Sequence, residues 1–225
     1  MKRILAAIIA AALLLSGCTS ASRPAESAPP TGTPSPSPTP VVTPTPEPEP
    51  ADDELVLVRD YIPGIFIDLK YATTDNFTGR VIYDSDEAYL RYGTVKKLLC
   101  AQNELSGRGL SLKIWDAYRP VSAQFKLWEI CPNPVYVSDP NNGYSKHSRA
   151  NTVDITLVTD TGKSIPMPSG FDDFTSLADR DYSDVSDEAA ENARLLENVM
   201  VENGFVPYSG EWWHYSDSVA YDVYG

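Results

Sequence analysis

Ser145-Lys146-His147-Ser148-Arg149-Ala150-Asn151-Thr152-Val153-Asp154-Ile155-Thr156-Leu157-Val158 passes from a polar segment into an alternating one. Val153, Ile155 and Leu157 would share one face of a strand and Asp154 and Thr156 the other, so the pattern predicts a strand opening near Asp154, with its carboxylate on a rigid element. His147, seven residues earlier and shortly after Asn141-Asn142-Gly143, belongs to the loop that enters this strand. The chain's other histidine stands in Glu211-Trp212-Trp213-His214. Glu211 and His214 are three apart, which on a regular strand places them on opposite faces. Their cooperation predicts a bend, and Gly210 just before them can supply it.

A catalytic zinc site needs three protein ligands, one open position and a base close by. His147, Asp154 and His214 can supply the ligands and Glu211 the base. Taken singly, a histidine beside two tryptophans is more often a packed core residue, and an Asp at a strand start often only satisfies backbone donors. The conjunction changes the weighing: both histidines have a carboxylate at short range, and the second has an aromatic pair able to wall a dry site.

Around this centre the pattern predicts strands at 54–59 and 65–69, and a helix at 94–105 striped by Val95, Leu98, Leu99, Gln102 and Leu105 and ended by Gly107. Leu110, Leu112 and Ile114 alternate in a further strand that delivers Arg119 to its end, where Pro120 stops it and a helix at 121–130 follows. Ser186 caps a helix running to about Asn203, with Gly204 as its exit. A strand pair at 205–215, interrupted at Ser209-Gly210, closes the chain. Strands not separated regularly by crossovers predict an α+β domain with a central antiparallel sheet flanked by helices.

The pattern S-x-H-x(6)-D followed by E-x-x-H resembles that of the zinc D-alanyl-D-alanine dipeptidases and carboxypeptidases of the D,D-peptidase and hedgehog-like fold. Asp68-Leu69-Lys70-Tyr71-Ala72-Thr73-Thr74-Asp75-Asn76-Phe77-Thr78-Gly79, Trp115-Asp116-Ala117-Tyr118-Arg119-Pro120 and Gly170-Phe171-Asp172 are similar to the dipeptidase branch, which includes the vancomycin-resistance dipeptidases. The similarity runs from about residue 60 to about residue 216. It implies one Zn2+ held by His147, Asp154 and His214, with Glu211 as general base and Arg119 facing the developing oxyanion. It also implies Ser145 and Asp172 in substrate binding, with Tyr71 and Phe77 lining the pocket. By composition alone Asp172, beside Asp173, reads as a solvated loop residue. The chain departs from the family pattern at Ala150 and Thr152, where the family usually has Gly and Ala. The implied substrate is the D-alanyl-D-alanine dipeptide. A D,D-carboxypeptidase acting on peptidoglycan stem peptides, and an inactive wall-binding lipoprotein that keeps the zinc site, stand as alternatives.

The N-terminal residues 1–18 combine Lys2-Arg3, an apolar run and Ser16-Gly17-Cys18, and are too short an apolar segment for the ~20 residues of a spanning helix. They predict a secretory signal, and Leu15-Ser16-Gly17-Cys18 resembles a bacterial lipobox, with Cys18 lipidated. Residues 19–52 carry more than half of the chain's 19 prolines and have little to bury. They predict a disordered tether reaching up to ~100 Å at polyproline spacing. An exported, lipid-anchored domain at 53–225 follows, suited to cell-wall turnover or salvage. The resistance dipeptidases act inside the cell, so an exported chain does not fit that role. A net charge of −13 argues against nucleic-acid binding, which needs basic clusters. Cys100 and Cys131 each fall on the apolar face of a predicted helix, and a disulfide and buried thiols are equally weighted.

Overall fold

The computed structural model describes residues 48–225. The expected signal peptide, Cys18 and all but the end of the expected tether lie outside the described residues. In chain order the elements are β1 (Leu55–Leu57), α1 (Val58–Tyr61), β2 (Phe66–Ile67), β3 (Tyr89–Arg91), α2 (Tyr92–Ser106) and β4 (Leu110–Asp116). They continue with α3 (Val121–Ile130), β5 (Thr152–Thr159), α4 (Asp187–Glu202), β6 (Phe205–Tyr208) and β7 (Glu211–Asp217).

The alternating run is β5, and it is the middle strand of a five-stranded sheet ordered β2-β4-β5-β7-β6. Ile155 and Leu157 lie opposite Ile114 and Leu112 of β4, so these four side chains share one face. Helices α2 and α4 pack on the sheet and on each other, and their stripes of Val95, Leu98 and Leu105, and of Ala193, Leu196, Val199 and Met200, are buried in the same core. Seven of the eight residues of β5 are buried, so both its faces are covered, and the rings of Trp115, Trp212, Trp213 and Phe171 pack against one another in one aromatic cluster. The helix signals act as read. The Ser186 hydroxyl accepts from the Ala189 amide at 3.2 Å, Asp187 and Glu188 sit in the first turn, and Gly204 takes the left-handed conformation just past the end.

Three expectations are corrected. The sheet is mixed: β2 runs parallel to β4, and the chain between them, including α2, makes the crossover that a parallel pair needs. The strand expected at 54–59 shrinks to β1 and turns into α1 at Val58, and it pairs with β3 in a separate two-stranded sheet. Cys100 is exposed, lying on α2 well over 100° round from the stripe at ~100° per residue, and Cys131 ends α3 half-buried. Neither forms a disulfide or a buried thiol pair. Among the described residues no helix is long and apolar enough to cross a membrane.

Candidate metal centre and active site

Two irregularities in strand register build the site. Along β4 and β5, Ile114 faces Ile155 but Asp116 faces Asp154, so two residues of β4 oppose one of β5. Without this bulge Trp115 would face Asp154, and Asp116 would fall on the helix side. With it, the two carboxylates share the site face. Along β6 and β7, Pro207 faces Tyr215 and Tyr208 faces Glu211, leaving Trp212, Trp213 and His214 without partners on β6. The bend expected at Gly210 therefore lies within β7 itself. It brings Glu211 Oε2 to 3.5 Å from His214 Nδ1, although the two are three apart in sequence.

The ligand group follows from these registers. His214 lies directly across from Asp154 on the neighbouring strand, with its Nδ1 2.9 Å from Asp154 Oδ1. His147 sits in the 3-10 turn Lys146–Arg149 that feeds β5, with its Nε2 3.3 Å from Asp154 Oδ2 and 3.4 Å from His214 Nδ1. Its other ring nitrogen donates to the Ala117 carbonyl at 2.9 Å, which turns Nε2 toward the group. Edges of this length fit one cation: a tetrahedron with ~2.0–2.1 Å bonds has edges near ~3.3 Å, and two imidazoles with a carboxylate form a donor set that zinc accepts. The residues present fit a metal ion.

Charge is arranged to match. Burial works against ionisation of Asp154, but the His147 and His214 rings outweigh it and hold its pKa well below the usual carboxylate range. Burial lowers the pKa of His214, and for His147 the same effect is overcome by Asp154 and Asp116. Glu211 is pushed up to about 7, first by burial and then by the Asp154 and Asp172 carboxylates.

Arg119 is braced rather than loose. Asp116, wholly buried, accepts from its Nε at 3.1 Å and its Nη2 at 2.6 Å, and Gln124 Oε1 accepts from Nη1 at 2.9 Å. Asp116 also takes the Tyr83 hydroxyl at 2.5 Å and the Ala117 amide at 2.9 Å. Of the five guanidinium N–H groups, three are used and two remain for another partner. Burial opposes the Arg119 charge, but Asp116, with Tyr83, Tyr71 and Asp154 behind it, outweighs that effect, so its pKa stands well above the usual value.

Tyr71 is buried under Arg119, its ring 5.0 Å from the guanidinium carbon, and its hydroxyl donates to Asp172 Oδ2 at 2.7 Å. It joins the two residues more than it lines an opening. Asp172 is no solvated loop residue: it adopts a left-handed conformation (φ 51°), and burial raises its pKa to about 7 against the lowering effect of the Tyr71 hydrogen bond. With Phe77 it lines a cavity of about 400 Å³. Ser145 lines a cavity of about 250 Å³ together with Glu211, His214, Lys146, Tyr136 and Tyr208, and its hydroxyl accepts from the His147 amide at 3.3 Å. The two departures from the family pattern also have places. Ala150 ends the His147 turn at φ 59°, a conformation that favours glycine and costs an alanine roughly 1 kcal/mol, and the Thr152 hydroxyl donates to Ser216 Oγ at 3.0 Å.

No local pattern in the sequence marks Asp116, Tyr83, Gln124 or Arg180 for a role. Asp116 stood in the quoted Trp115-to-Pro120 motif, but nothing local marks it as the partner of Arg119.

Three converging side chains that could hold a metal ion, an adjacent half-buried carboxylate and a braced guanidinium together fit a hydrolase site built round a cation. The chain belongs to the D-ala-D-ala dipeptidase family, whose profile matches residues 51–222. It is similar to the D-alanyl-D-alanine dipeptidase of Escherichia coli strain K12, with 39% identity over 162 residues covering 72% of this chain and 83% of the relative. It is also similar to the D-alanyl-D-alanine dipeptidases of Enterococcus faecium (35% identity, 69% of this chain and 87% of the relative) and Enterococcus faecalis strain V583 (34%, 73% and 91%).

Proposed function

We propose that this protein is a zinc-dependent dipeptidase that hydrolyses D-alanyl-D-alanine in cell-wall turnover or salvage. The observation that carries the reading is the convergence of His147, Asp154 and His214 beside Glu211, in a chain whose relatives bear that activity in their names. Bound there, zinc would supply Lewis acidity and lower the pKa of a water molecule. Glu211 accepts the proton of the attacking water at its carboxylate and returns it to the leaving amine, a role matched to a pKa raised to about 7. Arg119 directs its two spare N–H groups at the oxygen on which negative charge grows, and Asp116 and Gln124 hold it in place. The aromatic wall of Trp115, Phe171 and Trp212 limits water around these charges.

Asp172 supports the dipeptide over longer peptides. A free dipeptide carries an ammonium, which a half-buried carboxylate joins in a charge-assisted hydrogen bond; an acylated amino end leaves that carboxylate without a charged partner. The lipobox-like Leu15-Ser16-Gly17-Cys18 supports export and anchoring through a lipid on Cys18. The test compares D-Ala-D-Ala with N-acetyl-D-Ala-D-Ala. A discrimination of about a hundredfold or more in kcat/KM is expected, equivalent to roughly 2.7 kcal/mol. Equal values would move the function to the carboxypeptidase alternative, and no turnover of either would favour a wall-binding role.

A further inference from the structure

We propose that Arg180 is the positioning residue that holds Glu211 and His214 in convergence, by taking the place of the strand that β7 lacks along its bulge. Between Tyr215 and Glu211 the strand β6 offers no register partners for Trp212, Trp213 and His214, so this stretch of β7 runs without a ladder on that side. The Arg180 Nη2 donates to carbonyls at the two ends of this stretch, Glu211 O and His214 O, each at 3.1 Å, and its Nε donates to Tyr208 O at 2.7 Å on the opposite strand. One planar fork thus ties the backbone of the expected base, the backbone of the expected ligand and the facing end of β6. A guanidinium suits this task, since it presents several donors in a fixed plane and keeps its charge.

The fork is itself held. Glu197 Oε2 on α4 accepts from Nη1 at 2.9 Å, the Tyr215 hydroxyl accepts from Nη1 at 3.1 Å, and the guanidinium carbon lies 4.6 Å from the centre of the Tyr215 ring. The Arg180 side chain is about 10% exposed, so water competes little for the carbonyls. None of its contacts reaches the ligand nitrogens or a carboxylate of the site, so its action passes through the backbone. Arg180 also shares a loop with Asp172, which lies eight residues earlier.

The assignment rests on the roles proposed above for Glu211 and His214, and the test separates the two. The full chain is stripped of metal and titrated with Co2+, whose visible absorption reports ligand geometry independently of turnover. Glu197→Gln removes the charge partner of Arg180 but leaves its three carbonyl bonds. It should lower thermal stability while keeping Co2+ affinity, spectrum and kcat close to wild type. Arg180→Lys, which can reach one carbonyl at a time, should weaken Co2+ binding and lower kcat by roughly 10- to 100-fold, the range seen when outer partners of metal ligands are lost, with KM little changed. Arg180→Gln in the Glu197→Gln background leaves no unpaired buried charge, and should show the same losses should Arg180→Lys fold poorly. Wild-type Co2+ affinity and kcat in either Arg180 variant would overturn the proposal. So would losses in Glu197→Gln as large as those in Arg180→Lys, which would make the role purely structural. A wild-type chain that binds Co2+ but does not cleave D-Ala-D-Ala would sink the dipeptidase reading, while the Co2+ comparison would still decide the role of Arg180.

Discussion

Replacing Asp116 by Asn tests the bracing of Arg119. The substitution keeps the shape of the side chain, but one acceptor oxygen becomes an NH2 group and the negative charge is lost. The two oxygens of Asp116 serve different partners: Oδ2 takes Arg119 Nε and Nη2, and Oδ1 takes Tyr83 and the Ala117 amide. An Asn can satisfy one side or the other. In either orientation the buried Arg119 cation loses the carboxylate that compensates it. Breaking a buried pair from one side costs about 3–5 kcal/mol, more than a lost neutral hydrogen bond at about 1 kcal/mol. Urea unfolding should show a loss in that range. If Arg119 is also freed from its aim at the oxyanion, kcat for D-Ala-D-Ala should fall about 10²- to 10³-fold, as for loss of one oxyanion donor. The double variant Asp116→Asn/Arg119→Gln should regain part of the stability, since the unpaired cation is gone, without regaining activity. Wild-type stability and turnover in Asp116→Asn would refute the reasoning. A double variant no more stable than the single one would show that charge compensation is not the source of the effect.

Other outcomes follow from the same geometry. Glu211→Gln should retain the metal while losing roughly 10²- to 10⁴-fold in kcat, whereas His214→Ala should lose the metal itself, read by elemental analysis after dialysis. Asp172, with its pKa raised to about 7, stays protonated in the folded chain where an unfolded Asp, near ~3.9, is already ionised. Its contribution to stability is therefore complete below pH ~4 and is lost as pH rises through about 7, with a slope of at most ~1.4 kcal/mol per pH unit. Unfolding free energies at pH 4.5 and 7.5 should show Asp172→Asn gaining on wild type as pH rises; a constant difference would contradict the burial argument. Cys18→Ser should prevent lipid attachment, and a variant still found processed and in the membrane fraction would rule the lipobox out.

The candidate residues were legible because the motifs that hold them are local. His147, Asp154 and the Glu211/His214 pair sit in short motifs that set a carboxylate close to each histidine, and the strand carrying Asp154 announces itself by a period of two in residue type, which persists although both its faces are buried. Helix α4 was readable for the same reason, its cap and exit being encoded within a turn of its ends. The fit to the family depended on such motifs too. What the sequence could not carry was register. A bulge of one residue in β4 decides whether Asp116 or Trp115 stands beside Asp154, and nothing in Trp115-Asp116-Ala117 distinguishes the two. The bend that joins Glu211 to His214 was assigned to Gly210 because glycine is the local signal for a bend, yet it arises from three residues of β7 that find no partners on β6. By composition Asp172 reads as solvated because its neighbours are acidic, and only the tertiary surroundings, with Tyr71 distant in the chain, half-bury it; that burial raises its pKa against the lowering Tyr71 hydrogen bond. The sequence by itself therefore determined which groups could do the chemistry and on what kind of element each lies. The tertiary structure decided which of them meet, because meeting depends on strand pairing and on long-range partners such as Asp116 for Arg119 and Arg180 for the β7 carbonyls, whose energies are set by burial that no local pattern reports.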